Sequence, residues 1–432
     1  MTTHIFVPGL DDFHRQLLQT LRGSDDYSFH GLLAYDQVVH PSHYPISELL
    51  AAARRQLDGF AGQVDAIVGH WDFPTPELIA QLCADYGLRG PSLASVLVAE
   101  HKYWCRLVQE RAVPECTPAF EGVNPRDDDA ADRIALAYPF WLKPNIAFSS
   151  QLAFFVGDRA QLDEALAAIR SGIARFGEPF ATFCHSATLP APIPAERDAW
   201  WCIAESVIGG EQCTAEGYVY RGEAAVYAIV DSFREGVHGS SFSRYQLPST
   251  LPEAVKARIR DAAVRLVQAL GLDDTPFNIE FFWDEDTDRL WLLEVNVRLS
   301  KSHSPLFVDV MGASQHEVAV DIALDRQPRL PRFEGRCPMA AKFMLRRHRD
   351  AVVTRVPTAQ ELADLERRYP GAMIQIAVHE GMRLSDLPGQ DAYSFEVAVI
   401  FLGGENAAAL EANYARLIDE LPLTFDEGPP AS

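Results

Sequence analysis

No stretch of the 432-residue chain approaches the ~18 to 20 consecutive apolar residues that a membrane span needs. Basic side chains are also scarce: 38 Lys and Arg face 60 Asp and Glu, for a formal charge of −22. A surface of that sign repels phosphate backbones and anionic lipid, so nucleic acid and membranes are excluded as expected partners, while a local basic pocket for a small anion is allowed. The seven cysteines are odd in number, scattered and never spaced as CxxC, which argues against a disulfide framework or a structural zinc site and for a reducing, cytoplasmic setting. The N-terminus lacks a basic start followed by an apolar stretch, so no signal peptide is expected. No GxGxxG follows a strand candidate and no GxxxxGK[ST] occurs, which removes the dinucleotide fingerprint and the P-loop. What remains is ordinary globular composition, 48% hydrophobic and 23% charged, in a chain long enough for about three domains.

Strand and helix signals alternate over the first ninety or so residues. His4 to Val7 reads as a strand ending at Pro8-Gly9, followed by helical spacing from Phe13 to Leu21; Ala66 to Gly69 is a second strand, followed by a helix from Thr75 to Tyr86. Such alternation predicts a parallel sheet covered by helices. One helix is expected between Pro91 and Phe120, stopping before Pro114, then a strand from Tyr138 to Lys143 and a helix from Asp158 to Ile169. Residues 200–231 read as three strands with turns at Gly209-Gly210 and Arg221-Gly222. Residues 232–250, rich in Ser, Gly and polar groups, read as a long loop, and Arg234, His238 and Arg244 make it a candidate lid. An amphipathic helix from Pro252 to Leu270 precedes two strands around the acidic turn Asp284 to Asp288. The last α/β segment has strands at 341–345, 373–378 and 395–401 and a closing helix from Glu405 to Glu420.

The chemistry concentrates in the hairpin around that acidic turn. Alternation along a strand puts Glu294, Asn296 and Arg298 on one face, with Trp291, Leu293, Val295 and Val297 on the other; on the first strand Asn278, Glu280 and Phe282 share a face. A register that sets Glu280 beside Glu294 would gather two carboxylates and an amide, a like-charge conflict that a hard divalent cation resolves. The pattern equally fits a solvated hairpin face in which Arg298 pairs with one glutamate. Lys143, ending the apolar run in FWLKP, must reach water or an anion, and Lys102 at a helix start is a second cation; each alone is ordinary for a surface lysine. The strand ending Glu205-Ser206-Val207 and the following Gly209-Gly210-Glu211 could offer edge backbone groups to a flat base, or be a plain hairpin.

In this order the pieces resemble the ATP-grasp superfamily of carboxylate–amine ligases and are similar to L-amino acid ligases. NIEFFW and LLEVNVR carry the resemblance most strongly. It implies a mixed α/β chain: a Rossmann-like pre-ATP-grasp domain over 1–95, a first ATP-grasp part over 96–200, a second with the metal site over 201–330, and a C-terminal α/β segment over 331–425. It implies Mg²⁺, with Mn²⁺ as a substitute, held by Glu280, Glu294 and Asn296; ATP phosphates on Lys102 and Lys143; adenine at Glu205, Ser206 and Val207; and ribose on Glu211. Arg298 and Lys143 would be catalytic, Arg298 at the transferred phosphoryl group. Two departures stand out: Asn145-Ile146-Ala147-Phe148-Ser149-Ser150 replaces the glycine-rich loop after KP, and Leu299-Ser300-Lys301-Ser302-His303 follows Arg298 where many relatives have glycines. The leaning for Lys301 and His303 is towards substrate.

The implied reaction activates a small-molecule carboxylate as an acyl-phosphate and joins it to an amine, with ADP and phosphate released. Two rivals stand beside it: biotin-carboxylase-like carboxylation, and a non-catalytic ATP-binding regulator. A homodimer is the expectation from the base rate for soluble enzymes.

Overall fold

The computed structural model describes residues 2–39, 41–147, 151–236, 241–387 and 394–427. Near the N-terminus, strand Thr3–Pro8 pairs in parallel with Tyr27–Leu32 on one side and Ala66–Ile67 on the other. Parallel neighbours need crossover connections, and helices Asp12–Gln19 and Ile46–Asp58 supply them. Helix Thr75–Tyr86 spans the expected residues, and Gly87, with φ +65°, ends it.

A four-stranded antiparallel sheet follows, in the order Phe120–Val123, Cys202–Ser206, Phe140–Pro144, Phe154–Val156. Helix Arg159–Gly172 closes one side of it, burying Leu162, Leu166 and Ile169 with Phe140 and Leu142 in a core of their own. An eight-stranded antiparallel sheet runs Arg289–Asn296, Thr275–Asp284, Glu211–Tyr220, Glu223–Glu235, Ser241–Leu247, Met339–Arg347, Phe395–Gly404, Met373–Ile376. Helix Glu253–Ala269 lays Val255, Ile259, Ala263 and Leu266 against it, the stripe its 3.6-residue period predicts. None of the described helices is long and apolar enough to cross a membrane, and all seven cysteines are free.

Three expectations need correction. Residues 232–250 are not a long loop: strands Glu223–Glu235 and Ser241–Leu247 pair across most of them, and His238 lies outside the described residues. The polar composition comes from a strand pair with one face on a cleft, where Arg234, Phe242 and Tyr245 line a cavity. The single helix expected before Pro114 is two, Leu93–Glu100 and Lys102–Ala112; His101 breaks the first and caps the second by accepting from the Trp104 N–H. Finally, the phase of strand Arg289–Asn296 shifts at a β-bulge. Glu280 faces Glu294 but Phe281 faces Leu292, so Leu290 and Leu292 join the core in place of Trp291 and Leu293. A bulge inserts one unpaired residue and resets alternation, which strict period-2 reading misses.

Candidate active site

The hairpin register is the one that concentrates charge. Glu280 stands opposite Glu294 and Asn278 opposite Asn296, two rungs separated by the Ile279–Val295 rung and so on one face of the ladder, carrying four oxygen-bearing side chains. Asn296 donates from Nδ2 to Asn278 Oδ1 at 3.0 Å, which aims its own oxygen at Arg298 Nη2, 3.4 Å away. Glu280 accepts only a neutral donor among its described contacts, Gln212 Nε2 at 2.8 Å. Burial and the Glu294 charge push its carboxyl up to about 7. That is the signature of paired carboxylates short of positive charge. The donor set, two carboxylates and an amide oxygen, fits a hard divalent cation.

The pair lines a cavity of about 240 Å³ together with two lysines. Lys102, on the first turn of its helix, reaches Glu294 Oε1 at 2.9 Å and donates to the Ala147 carbonyl at 2.6 Å. Lys143 sits at an outward position of strand Phe140–Pro144 and meets Glu205 Oε2 at 3.0 Å. Glu205 also accepts from Arg106 Nε at 2.5 Å. Against the cost of burial, Arg106 and Lys143 hold the Glu205 carboxyl down at about 2. Arg106 reaches the bulge as well, donating to the Leu292 and Leu293 carbonyls at 3.0 and 2.6 Å. The carbonyls that the irregular ladder frees are thereby satisfied, and the small sheet is tied to the large one.

Arg298 lies two residues past the end of strand Arg289–Asn296, with Nε 2.6 Å from Asp72 Oδ1. Lys301 takes the other Asp72 oxygen at 3.3 Å, and the two cations lower the Asp72 carboxyl despite its burial. The segment after the N-terminal strand Ala66–Ile67 therefore orients an arginine that follows the edge strand of the large sheet. His303 is buried against Glu216, Nδ1 to Oε1 at 2.8 Å, and its ring packs edge-on against Tyr245 of the cavity wall.

Of the residues named from sequence, Lys102, Lys143, Glu205, Glu280 and Glu294 line the cavity. Asn296 ends the strand that carries Glu294, and Arg298 follows two residues beyond its end; neither lines the cavity, nor do Ser206, Val207 and Glu211. The Glu205 side chain is committed to its two cations; Val207 is 43% exposed at the strand end. Gly210, with φ +121°, has to be glycine there, since a Cβ would lie 2.3 Å from the Trp283 carbonyl oxygen. After Pro144 the chain is pinned, with the Asn145 carbonyl accepting from the Lys102 N–H at 3.0 Å; Phe148, Ser149 and Ser150 lie outside the described residues. In the candidate lid, Arg234 donates to Gln212 Oε1 at 2.7 Å and so supports the group that holds Glu280. Arg244 pairs with exposed Glu411 instead.

Sequence reasoning missed Glu100, Arg106, Asp72 and Gln212. Glu100 Oε1 accepts the Val297 N–H at 2.8 Å, and burial pushes its carboxyl up to about 7. No spacing rule joins these positions to the hairpin. The one available signal was an arginine on the buried stripe of helix Lys102–Ala112, which demands an anionic partner.

Residues 136–305 match the ATP-grasp domain family. The chain is 30% identical over 178 residues to the carbamoyl phosphate synthase large chain of Thermotoga petrophila, a match covering 39% of this chain and 15% of that one. It is 32% identical over 98 residues to the D-alanine–D-alanine ligase of Acidiphilium cryptum, covering 22% and 32%. This chain thus spans well under half the length of either relative. Among solved structures, an L-amino acid ligase from Bacillus licheniformis superposes with a TM-score of 0.70 over 99% of both chains at 16% identity, a likeness of fold.

Proposed function

We propose, on the premise that this chain carries an ATP-grasp domain, that it is an ATP-dependent carboxylate–amine ligase acting on small molecules in a reducing, cytoplasmic compartment. The observation that carries the reading is the pairing of Glu280 with Glu294 in one cavity with Lys102 and Lys143, with Arg298 held on Asp72. A bare nucleotide-binding surface has no need of two carboxylates forced together, because their repulsion costs stability until positive charge arrives.

Glu280, Glu294 and Asn296 would hold Mg²⁺, which when bound supplies charge neutralisation between phosphate oxygens. Lys102 and Lys143 would draw the ATP phosphates into the cavity, and Ser206, Val207 and Glu211 would meet the nucleoside at its rim. Each lysine is a dehydrated cation already paired with a carboxylate, so little reorganisation is required for a phosphate to share it. The substrate carboxylate attacks the γ-phosphorus and ADP leaves. Arg298, its guanidinium oriented by Asp72, would stabilise charge on the transferred group. An amine then attacks the acyl carbon, phosphate departs and the amine proton passes to a base. Alignment and electrostatics suffice, so no side-chain nucleophile is called for.

The test is release of ADP from Mg-ATP against pools of amino acids and other small carboxylates, with product masses recorded. ADP with a new mass of acid plus amine minus water is the expected result. AMP release, bicarbonate-dependent turnover with biotin, or ATP binding without turnover on any pool would each overturn it.

A further inference from the structure

Three histidines far apart in sequence, none of them lining the cavity, meet in the interior. His14 lies on helix Asp12–Gln19, His70 two residues before Asp72, and His316 opens helix His316–Ala323. They are 4%, 0% and 2% exposed. Ring centroids are 3.8 Å apart for His14 and His70, 5.1 Å for His70 and His316, and 5.8 Å for His14 and His316. One nitrogen from each lies within 4.8 Å of the others.

The hydrogen bonds around them are one-sided. His14 Nδ1 is engaged by Asp11 Oδ1 at 2.7 Å and His316 Nδ1 by Ser314 Oγ at 2.7 Å. The Nε2 atoms of both, and both ring nitrogens of His70, are buried with no protein partner. Buried polar groups are paired as a rule, so four such atoms in one cluster mark the place of a missing partner. Burial first, and then the neighbouring rings, keep His70 and His316 neutral, His316 down at about 3; a neutral imidazole is the form that offers a lone pair. A carboxylate or hydroxyl on the far nitrogen is the arrangement that fixes the tautomer and orientation of a ligating histidine. The nearby cations Arg298 and Lys301 are both held on Asp72, and Asp11 contributes a negative charge.

We propose that His14, His70 and His316 form a binding site for a zinc-class divalent ion, separate from the oxygen-donor pair in the cavity. Three imidazoles suit zinc and its first-row neighbours, whereas Mg²⁺ prefers oxygen. Tetrahedral coordination brings ligand nitrogens to about 3.3 Å of one another. Reaching that from the observed spacing asks the stacked His14 and His70 rings to turn relative to one another, and His70 has no hydrogen bond to break in doing so. The cysteine pattern argued against a structural zinc site, and cysteine takes no part in this one. The ion would staple the first helix, the segment leading to Asp72, and the helix at 316–323, stiffening the support of Arg298. The inference stands whether or not the chain is a ligase.

Purified full-length protein, stripped with chelator and dialysed, is titrated with Co²⁺ and then with Zn²⁺. One equivalent of Co²⁺ with the visible absorption of a tetrahedral nitrogen site, displaced by one equivalent of Zn²⁺ and indifferent to excess Mg²⁺, is expected. Ser314→Ala, which leaves all three ligands, should weaken binding about 10- to 100-fold, and His70→Gln and His316→Gln should abolish it. Absence of a tetrahedral Co²⁺ spectrum in the wild-type protein, displacement by Mg²⁺, or undiminished binding in His70→Gln overturns the proposal without reference to how well any variant folds.

Discussion

Glu205 and Glu280 line one cavity from two different sheets and meet opposite electrostatics. Glu205 has a cation on each oxygen, Arg106 and Lys143, and its carboxyl sits at about 2. Glu280 has a neutral amide and a second carboxylate across the ladder, and its carboxyl sits at about 7. The first is a finished ion-pair knot that ties the sheets together. The second is an unfinished one: Lys102 sits on Glu294, and the charges of Arg234 and Arg298 only partly offset burial and the neighbouring carboxylate at Glu280, which leaves a place for a further cation. Burial alone does not separate scaffold from receptor; the sign of the neighbours does.

The largest effect should come from the unfinished pair. Glu294→Gln is expected to lower Mg²⁺-dependent turnover about 10²- to 10³-fold, with a smaller change in urea midpoint than Glu205→Gln, because losing the Lys102 partner is offset by relief of the repulsion with Glu280. Turnover like that of the wild type would remove the metal assignment. The finished knot should answer differently. Glu205→Gln leaves Arg106 and Lys143 without their counter-charge and should cost about 3 kcal/mol of stability, read as a drop in urea midpoint at unchanged slope. Equal stability would mean that the knot contributes little and that the contrast drawn here is false.

The pH dependence of apo stability should carry both signs. Glu280 is raised from 4.5, so its folded form holds the proton more tightly; its contribution is full below the unfolded pKa and is lost as pH rises from about 4.5 through about 7. Glu205 is lowered, so its contribution is present above about 4.5 and is lost as pH falls towards about 2. In chelator, Glu280→Gln should flatten the decline towards pH 7, and Glu205→Gln should flatten the one at acid pH. The smallest effect is expected where neither situation holds. Arg244 pairs with Glu411, which is 61% exposed, and lies over the Phe233 ring; Arg244→Ala should cost about 1 to 2 kcal/mol of stability, mostly lost packing, and leave kcat and KM alone.

The fold was readable where periodicity was clean. The parallel N-terminal strands and the helices at 75–86 and 253–269 follow from spacing and alternation, and alternation put Glu280 and Glu294 each on a polar face while leaving their pairing register open. Three kinds of feature did not show in the pattern. A bulge reset the phase at Leu293, a polar strand pair facing a cleft imitated a loop at 232–250, and one histidine divided a helix at residue 101. The site was half readable for a related reason. Residues on the hairpin share one local period, but Asp72, Glu100 and Arg106 join it through tertiary packing, and His14, His70 and His316 meet only in the folded chain.

The central claim is that the Glu280–Glu294 pair is where a divalent cation is held. Mn²⁺ substitutes for Mg²⁺ and reports its own binding by loss of its free EPR signal. The decisive measurement is therefore a Mn²⁺ titration at fixed non-hydrolysable ATP analogue, in the wild-type protein, Glu280→Gln, Glu294→Gln and Arg244→Ala. Tight nucleotide-dependent Mn²⁺ binding that is lost in both glutamine variants and kept in Arg244→Ala is the expected result. Equal Mn²⁺ affinity in all four proteins would contradict the claim.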